Sequence, residues 1–269
     1  MIDLLRLTKN LASNWLTQRP FELEWMLRLL RGPYADVVVF RELIHQGDTV
    51  LDIGANVGLY TSLFAHLVGP KGSVHAFEPV PPIFEQLEKN VTRSYVYPNK
   101  CAAGEIKGSV SMVVPKRDFS QAAMIRHSDK SWKGLLGSDI LAFPECPVTT
   151  LDEYVLARGI EDVTLVKCDV EGAEMSVIRG ARSLIRRSKP PMWFFECYAP
   201  WTLDFGYEPR DLFRLLESEG AYKIFHVGRA GLNLVQADGP VPGTFPNFLN
   251  FLAVVPSVHG DRVRKLIHP

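Results

Sequence analysis

Residues 49–79 read TVLDIGANVGLYTSLFAHLVGPKGSVHAFEP, and the order of patterns in this stretch decides the fold. Thr49 to Ile53 is a short apolar run of strand length. Gly54 and Gly58 flank Ala55-Asn56-Val57. A glycine at 54 permits a tight turn and close approach of another group to the backbone. Residues 58–68 then follow a helical pattern, and residues 73–79 form a second strand closing on Glu78 and Pro79. Strand, glycine turn, helix and strand in that order open a doubly wound, mainly parallel α/β sheet.

The alternation continues outward from that stretch. Residues 82–91 read as a helix and 99–104 as a third strand. Residues 163–169 (VTLVKCD) read as a strand, and 173–187 (AEMSVIRGARSLIRR) as one helix. Residues 191–198, 222–228 and 247–256 complete the strands, with a helix over 209–220 ended by Gly220. Between 104 and 150 the alternation lapses into a strand at 109–115 and a long polar loop, before CPVTTLDEYV returns to strand and helix. Loops of that length are usually functional lids or mobile. The domain reading is an N-terminal helical extension over 1–45 and a catalytic domain over 46–269, with a loop or hairpin insertion at about 104–145. Leu4, Leu5, Leu7, Leu11 and Trp15 share one helical face of the extension, which could cap the domain, cover a substrate or pair two subunits as a homodimer.

Composition narrows the function. The chain has 269 residues, with 30 Lys plus Arg against 30 Asp plus Glu. A formal net charge of zero leaves no broad basic field to gather nucleic acid, so no nucleic-acid partner is expected. No run approaches the roughly 20 apolar residues of a membrane span, and the first twenty residues lack the form of a signal peptide, so the expected location is cytoplasmic. Cys101, Cys146, Cys168 and Cys197 show no metal-binding spacing and read as small buried hydrophobes.

The glycine turn is not the GxGxxG dinucleotide fingerprint. Its spacing is GxxxG with Asp52 two residues earlier, and an acid there would repel a pyrophosphate but suit a cationic ligand. Free N–H groups at the following helix start favour an electron-rich group. Glu78 ends the second strand, where an acid hydrogen-bonds the ribose hydroxyls of an adenosine cofactor. This combination resembles the S-adenosylmethionine site of class I methyltransferases. The resemblance implies a seven-stranded sheet and a cofactor site of Asp52, Gly54, Ala55, Asn56, Gly58, Glu78, Pro79, Ala102 and Asp169. Asp52 and the Gly54 turn would hold the amino-acid end, Glu78 the ribose diol, and the segment around Ala102 the adenine. S-adenosylhomocysteine is the product that cofactor would leave.

VKCDVEGAE (166–174) carries three acids in six residues, after an apolar run and before a helix. Asp169 falls at the carboxyl end of a strand, where doubly wound folds bind ligands. Glu171 and Glu174 can also be read as first-turn charges favoured by the helix dipole. DIGANVGLYT, AFEP, TTLDEYV and VKCDVEGAEMSVIRGA together resemble the FkbM-type methyltransferases over roughly residues 48–256. The resemblance implies O-methylation of a small hydroxylated acceptor, a sugar or glycosylated natural product. Methylation of an amine, lipid or protein, a non-catalytic cofactor-binding protein and an NAD(P) oxidoreductase are the competing readings.

Methyl transfer to a hydroxyl needs alignment and removal of a proton. Asp169 is the first candidate base, with Glu171, Glu196 and His226 as further catalytic candidates and His75 and His127 as alternatives. Asp169, Glu171 and Glu196 could hold Mg²⁺, although no metal ligand set is assigned. Tyr198 and Trp201 could face a sugar ring.

Overall fold

A computed structural model describes residues 35–115, 122–124, 140–228, 231–235 and 249–267. The first element, α1 (Ala35–Leu43), leads into β1 (Thr49–Ile53), α2 (Leu59–Val68), β2 (Ser73–Phe77), α3 (Pro81–Asn90) and β3 (Val96–Asn99). A short β4 (Ala102–Ala103), β5 (Gly108–Pro115) and β6 (Ile140–Thr149) follow, then α4 (Leu151–Ala157) and β7 (Leu165–Cys168). The chain goes on through α5 (Glu174–Arg179), α6 (Arg182–Ile185), β8 (Met192–Cys197), α7 (Ala199–Asp204) and α8 (Pro209–Gly220). It closes with β9 (Lys223–Gly228), β10 (Gly231–Val235), β11 (Leu249–Val254) and α9 (Pro256–Val263).

Among the described residues the main sheet has eight strands in the order β10-β9-β11-β8-β7-β1-β2-β3. Strands β3, β2, β1, β7 and β8 are parallel, and β11 runs antiparallel between β8 and β9. The expected count of seven is exceeded by one, because β10 pairs antiparallel with β9 at the sheet edge. The two faces follow from alternation. Val50, Val74, Leu165, Phe194 and Leu252 pack with α1, α2 and α9 on one face. Leu51, Ile53, Phe77, Val166, Cys168, Phe195 and Phe251 pack with α4, α5, α6 and α8 on the other. Strand order reverses at β1, flanked by β2 and β7, so the carboxyl ends of β1 and β7 open the crevice in which such sheets bind ligands.

Residues 99–104 do not form the third main-sheet strand. That role falls to β3, and β4 instead joins a second, three-stranded sheet, β4-β6-β5. Val80 and Ile83 at the start of α3 pack on Met112, Val114 and Cys146 of this sheet. The single helix expected over 173–187 is two short ones. Gly180 between them lies so close to the Gly104 carbonyl that a Cβ there would sit 1.9 Å from its oxygen. Asp152 starts α6 by accepting the Ser183 and Leu184 N–H groups at 2.8 and 2.9 Å. The α8 helix includes Gly220 and ends at Ala221 in the left-handed conformation. Cys146, Cys168 and Cys197 are buried, Cys101 is partly so, and all four are free thiols. Among the described residues no helix is long and apolar enough to cross a membrane. Residues 1–34 and most of the 116–139 loop, including His127, lie outside the described residues.

Candidate active site

Parallel pairing sets the site. In register, Asp52 of β1 stands beside Lys167 of β7. Both face the α2 side, and both are buried, Asp52 completely. Thr61 donates its hydroxyl to Asp52 Oδ2 at 2.6 Å, and Lys167 Nζ lies 3.4 Å from Asp52 Oδ1. The same ammonium donates to the Gly54 carbonyl at 3.0 Å and lies 3.3 Å from Asp169 Oδ2. The Tyr60 ring covers it, with Nζ 5.4 Å from the ring centroid. Burial works against the ammonium, but Asp169 and Asp52 outweigh that penalty and hold its pKa above the ordinary lysine value. Asp52 was expected to meet a cationic ligand; the cation beside it here is Lys167, and its carboxylate is fully buried.

The glycine turn is fixed from several sides. Gly54 has φ +76°, and a Cβ there would meet the Asp169 carbonyl oxygen at 1.9 Å, so only glycine lets the β1 and β7 loops touch. Its N–H and that of Ala55 donate to the Phe77 carbonyl at 3.1 and 2.9 Å. Asn56, left-handed at φ 51°, donates its N–H to Glu78 Oε2 at 3.1 Å. Asn56 Oδ1 accepts the Val57 N–H, and the Gly58 N–H donates to the Ala55 carbonyl. Every N–H from 54 to 58 therefore has a partner within the protein, so these five offer a ligand no free donor. What the turn leaves for a ligand is shape and carbonyl groups.

Glu78 is buried and accepts a second main-chain N–H, from Val80, at 2.9 Å. Burial pushes its pKa up to about 7, against the lowering by these two hydrogen bonds and by Lys167. Pro79 follows it directly. Ala55 is buried with Ala76, Phe84 and Leu87. Ala102 is buried in β4, pairing with Val148 in the second sheet.

The DVEGAE segment is a turn held by its last acid. Glu174 is buried, and its Oε1 accepts the N–H groups of Val170 and Gly172, both at 3.2 Å. Tyr207 donates to the Gly172 carbonyl at 2.8 Å, with its hydroxyl 3.1 Å from Glu174 Oε2. Burial pushes the Glu174 carboxyl up to about 7. Glu171 and Gly172 are both left-handed, at φ 55° and 100°. A non-glycine residue in that region costs on the order of 1 kcal/mol, and such strain clusters at functional sites. Asp169 stands outside this staple, its side chain 31% exposed.

Register also places the other candidates. Glu196 shares the face of Phe194, which packs on Phe40, and Asp169 continues the β7 strand on the same side. His226 does not join them. It pairs with Phe251 on the opposite face, its ring 5.8 Å from that of Phe251 in the α8-side core, and burial lowers its pKa. His75 also faces away, bonded to the Tyr154 hydroxyl at 2.8 Å and lowered to about 4 by burial and Arg158. Trp201 is buried, and Tyr198 packs edge-on against it at 5.2 Å. Among the described residues no group of three or more His, Cys, Asp or Glu converges to hold a metal ion.

Two residues of the site carried no motif signal: Lys167, and Tyr60 with its donated hydrogen bond to buried Asp36 of α1. Lys167 was the detectable one, as the lone charge inside an apolar strand.

Residues 52–224 match the family described as the methyltransferase FkbM domain. The 31-O-demethyl-FK506 methyltransferase FkbM of Streptomyces tacrolimicus is 32% identical over 158 residues, covering 51% of this chain and 60% of that protein. The hexuronic acid methyltransferase AglP of Haloferax volcanii is 26% identical over 194 residues, 71% of each chain. A crystal structure of a methyltransferase FkbM from Methylobacillus flagellatus is similar over 76% of this chain and 43% of that one, with 18% identity and a TM-score of 0.42. The chain thus spans less than two thirds of the Streptomyces relative, but the family match runs from Asp52 of β1, through the Gly54 turn and the Glu174 staple, to β9, and the chain belongs to the FkbM methyltransferase family.

Proposed function

We propose that this protein is an S-adenosylmethionine-dependent O-methyltransferase whose acceptor is a hydroxyl of a small molecule, a sugar or glycosylated natural product. The observation that carries the reading is the meeting of the Gly54 turn with Asp169 at the point where strand order reverses. A partly exposed carboxylate there is backed by a buried ammonium, beside a turn only glycine can form. The names of two relatives, one acting on a 31-O-demethyl compound and one on hexuronic acid, support a hydroxyl-bearing acceptor.

The residues present fit the cofactor. Glu78 can accept from a ribose diol on lone pairs its two main-chain donors leave free. The Gly54 turn offers a surface without side chain. When bound, the cofactor supplies an electrophilic methyl on a sulfonium. Asp169 takes the acceptor's proton as the hydroxyl oxygen attacks, since an alcohol is a weak nucleophile until deprotonated. Glu196, on the same face, orients the acceptor, and the strained Glu171 turn sets the rim of its pocket. Residues 46–269 form the catalytic domain in this reading, with the second sheet as its insertion.

Thermal shift separates the ligand classes. S-adenosylmethionine and S-adenosylhomocysteine each raise the unfolding midpoint by a few degrees at saturating concentration, and NAD does not. Stabilisation by NAD and not by either sulfur ligand would overturn the reading.

A further inference from the structure

We infer that Lys167 is a positioning residue that locks the cofactor-facing turn to the acceptor-facing carboxylate, an inference that rests on the function proposed above. Its ammonium has three N–H donors and meets three oxygens: the Gly54 carbonyl at 3.0 Å, Asp169 Oδ2 at 3.3 Å and Asp52 Oδ1 at 3.4 Å. The first is a hydrogen bond and the other two are ion pairs, and the residue is 4% exposed, so Lys167 is placed to act through these oxygens rather than on a ligand directly. What it touches belongs to two loops with different tasks. Gly54 is the turn after β1, and Asp169 ends β7.

The main chain brings the two loops together, with the Asp169 N–H donating to the Ile53 carbonyl at 3.1 Å. That bond fixes the strand ends and leaves the Asp169 carboxylate free to turn about its side-chain bonds. Lys167 removes that freedom from below and draws the Gly54 peptide down with the same group. The Tyr60 ring over Nζ keeps water away, and Asp36 of α1 accepts the Tyr60 hydroxyl. Low local polarity strengthens each of these contacts. A cation there also offsets the repulsion between the Asp52 and Asp169 carboxylates, which would otherwise push the two loops apart.

The test uses the whole chain and S-adenosylhomocysteine as probe. Removing Lys167 alone would leave Asp52 buried without its cation, so Lys167→Met is combined with Asp52→Asn. Calorimetry then measures affinity for the probe, and thermal unfolding without ligand measures stability. The double variant is expected to unfold within a few degrees of wild type while binding the probe about tenfold more weakly, or worse, since charge-assisted hydrogen bonds to the turn are lost. A purely structural lysine would show the reverse, a lowered midpoint with affinity kept within threefold, and that result overturns the inference. Should the double variant not fold, a crystal structure of the wild type with the probe decides. Lys167 Nζ bonded to both Gly54 and Asp169, with the probe against the Gly54 turn, upholds it, and a probe bound away from that turn overturns it. A wild type that binds no probe would fail the proposed function itself, and the inference with it, whereas equal binding by wild type and double variant would fail the inference alone.

Discussion

Glu174 shows how a motif can be plain in the sequence while its roles are not. Three acids in six residues mark the segment, yet their places in space differ. Glu174 turns inward to hold the Val170 and Gly172 N–H groups, and Asp169 points to the crevice. The left-handed Glu171 lies between them, and no spacing rule foretells a strained non-glycine residue. Lys167 is the larger omission, because its partners Gly54 and Asp52 lie more than a hundred residues away and only strand register brings them together. The raised pKa of Glu174 has a consequence for stability. A carboxyl near 7 in the fold and near its ordinary 4.5 when unfolded adds stability below about 4.5, and loses it as pH rises through about 7. Glu174→Gln stays neutral throughout. The difference in unfolding midpoint between variant and wild type should therefore move in the variant's favour between pH 5 and pH 8. A difference that stays constant would show that Glu174 keeps its ordinary pKa.

At the scale of elements, the β1-turn-α2-β2 unit was legible because three signals agree: an apolar strand, a glycine turn and a helical period. The α5–α6 break was not, because it depends on Gly180 meeting Gly104 from a different part of the chain. The β10 strand escaped for a different reason, since its five residues pair only at the sheet edge. His226 lies in a stretch legible as a strand, but the face it takes depends on register with Phe251. The same close approach that hides Gly180 makes Gly54 a sharp test. A Cβ at 54 would have to displace the Asp169 backbone, and the turn's positive φ adds strain. Gly54→Ala should cost about 2 kcal/mol or more in denaturant unfolding and weaken S-adenosylhomocysteine binding more than tenfold. Near wild-type stability and binding would show that the two loops separate easily.

Across the whole molecule, the sheet is closed at its amino-terminal edge by contacts distant in sequence. Arg262 of α9 grips Asp48 with two bonds of 2.6 and 3.0 Å and reaches the Leu43 carbonyl at 2.7 Å, tying the last helix to the entry of β1. Paired, charge-assisted contacts of this kind are the strong ones. Arg262→Ala should destabilise the chain by about 2 kcal/mol in denaturant unfolding without changing cofactor affinity, because the site lies at the opposite end of the strands. A loss of affinity equal to the loss of stability would mean that the two ends are coupled. The alternating pattern made this doubly wound architecture legible, whereas the eighth strand and the closing helix rest on pairing that no local pattern announces. The central claim is that this architecture brings Asp169 to a bound acceptor beside a cofactor methyl group. It is tested most directly by following label from methyl-labelled S-adenosylmethionine into a panel of uronic acids, glycosides and amines, with wild type and Asp169→Asn side by side. The account predicts label in a hydroxylated acceptor with the wild type, and turnover on the order of 100-fold lower in Asp169→Asn at unchanged S-adenosylhomocysteine affinity. Transfer by Asp169→Asn as fast as by wild type would contradict it.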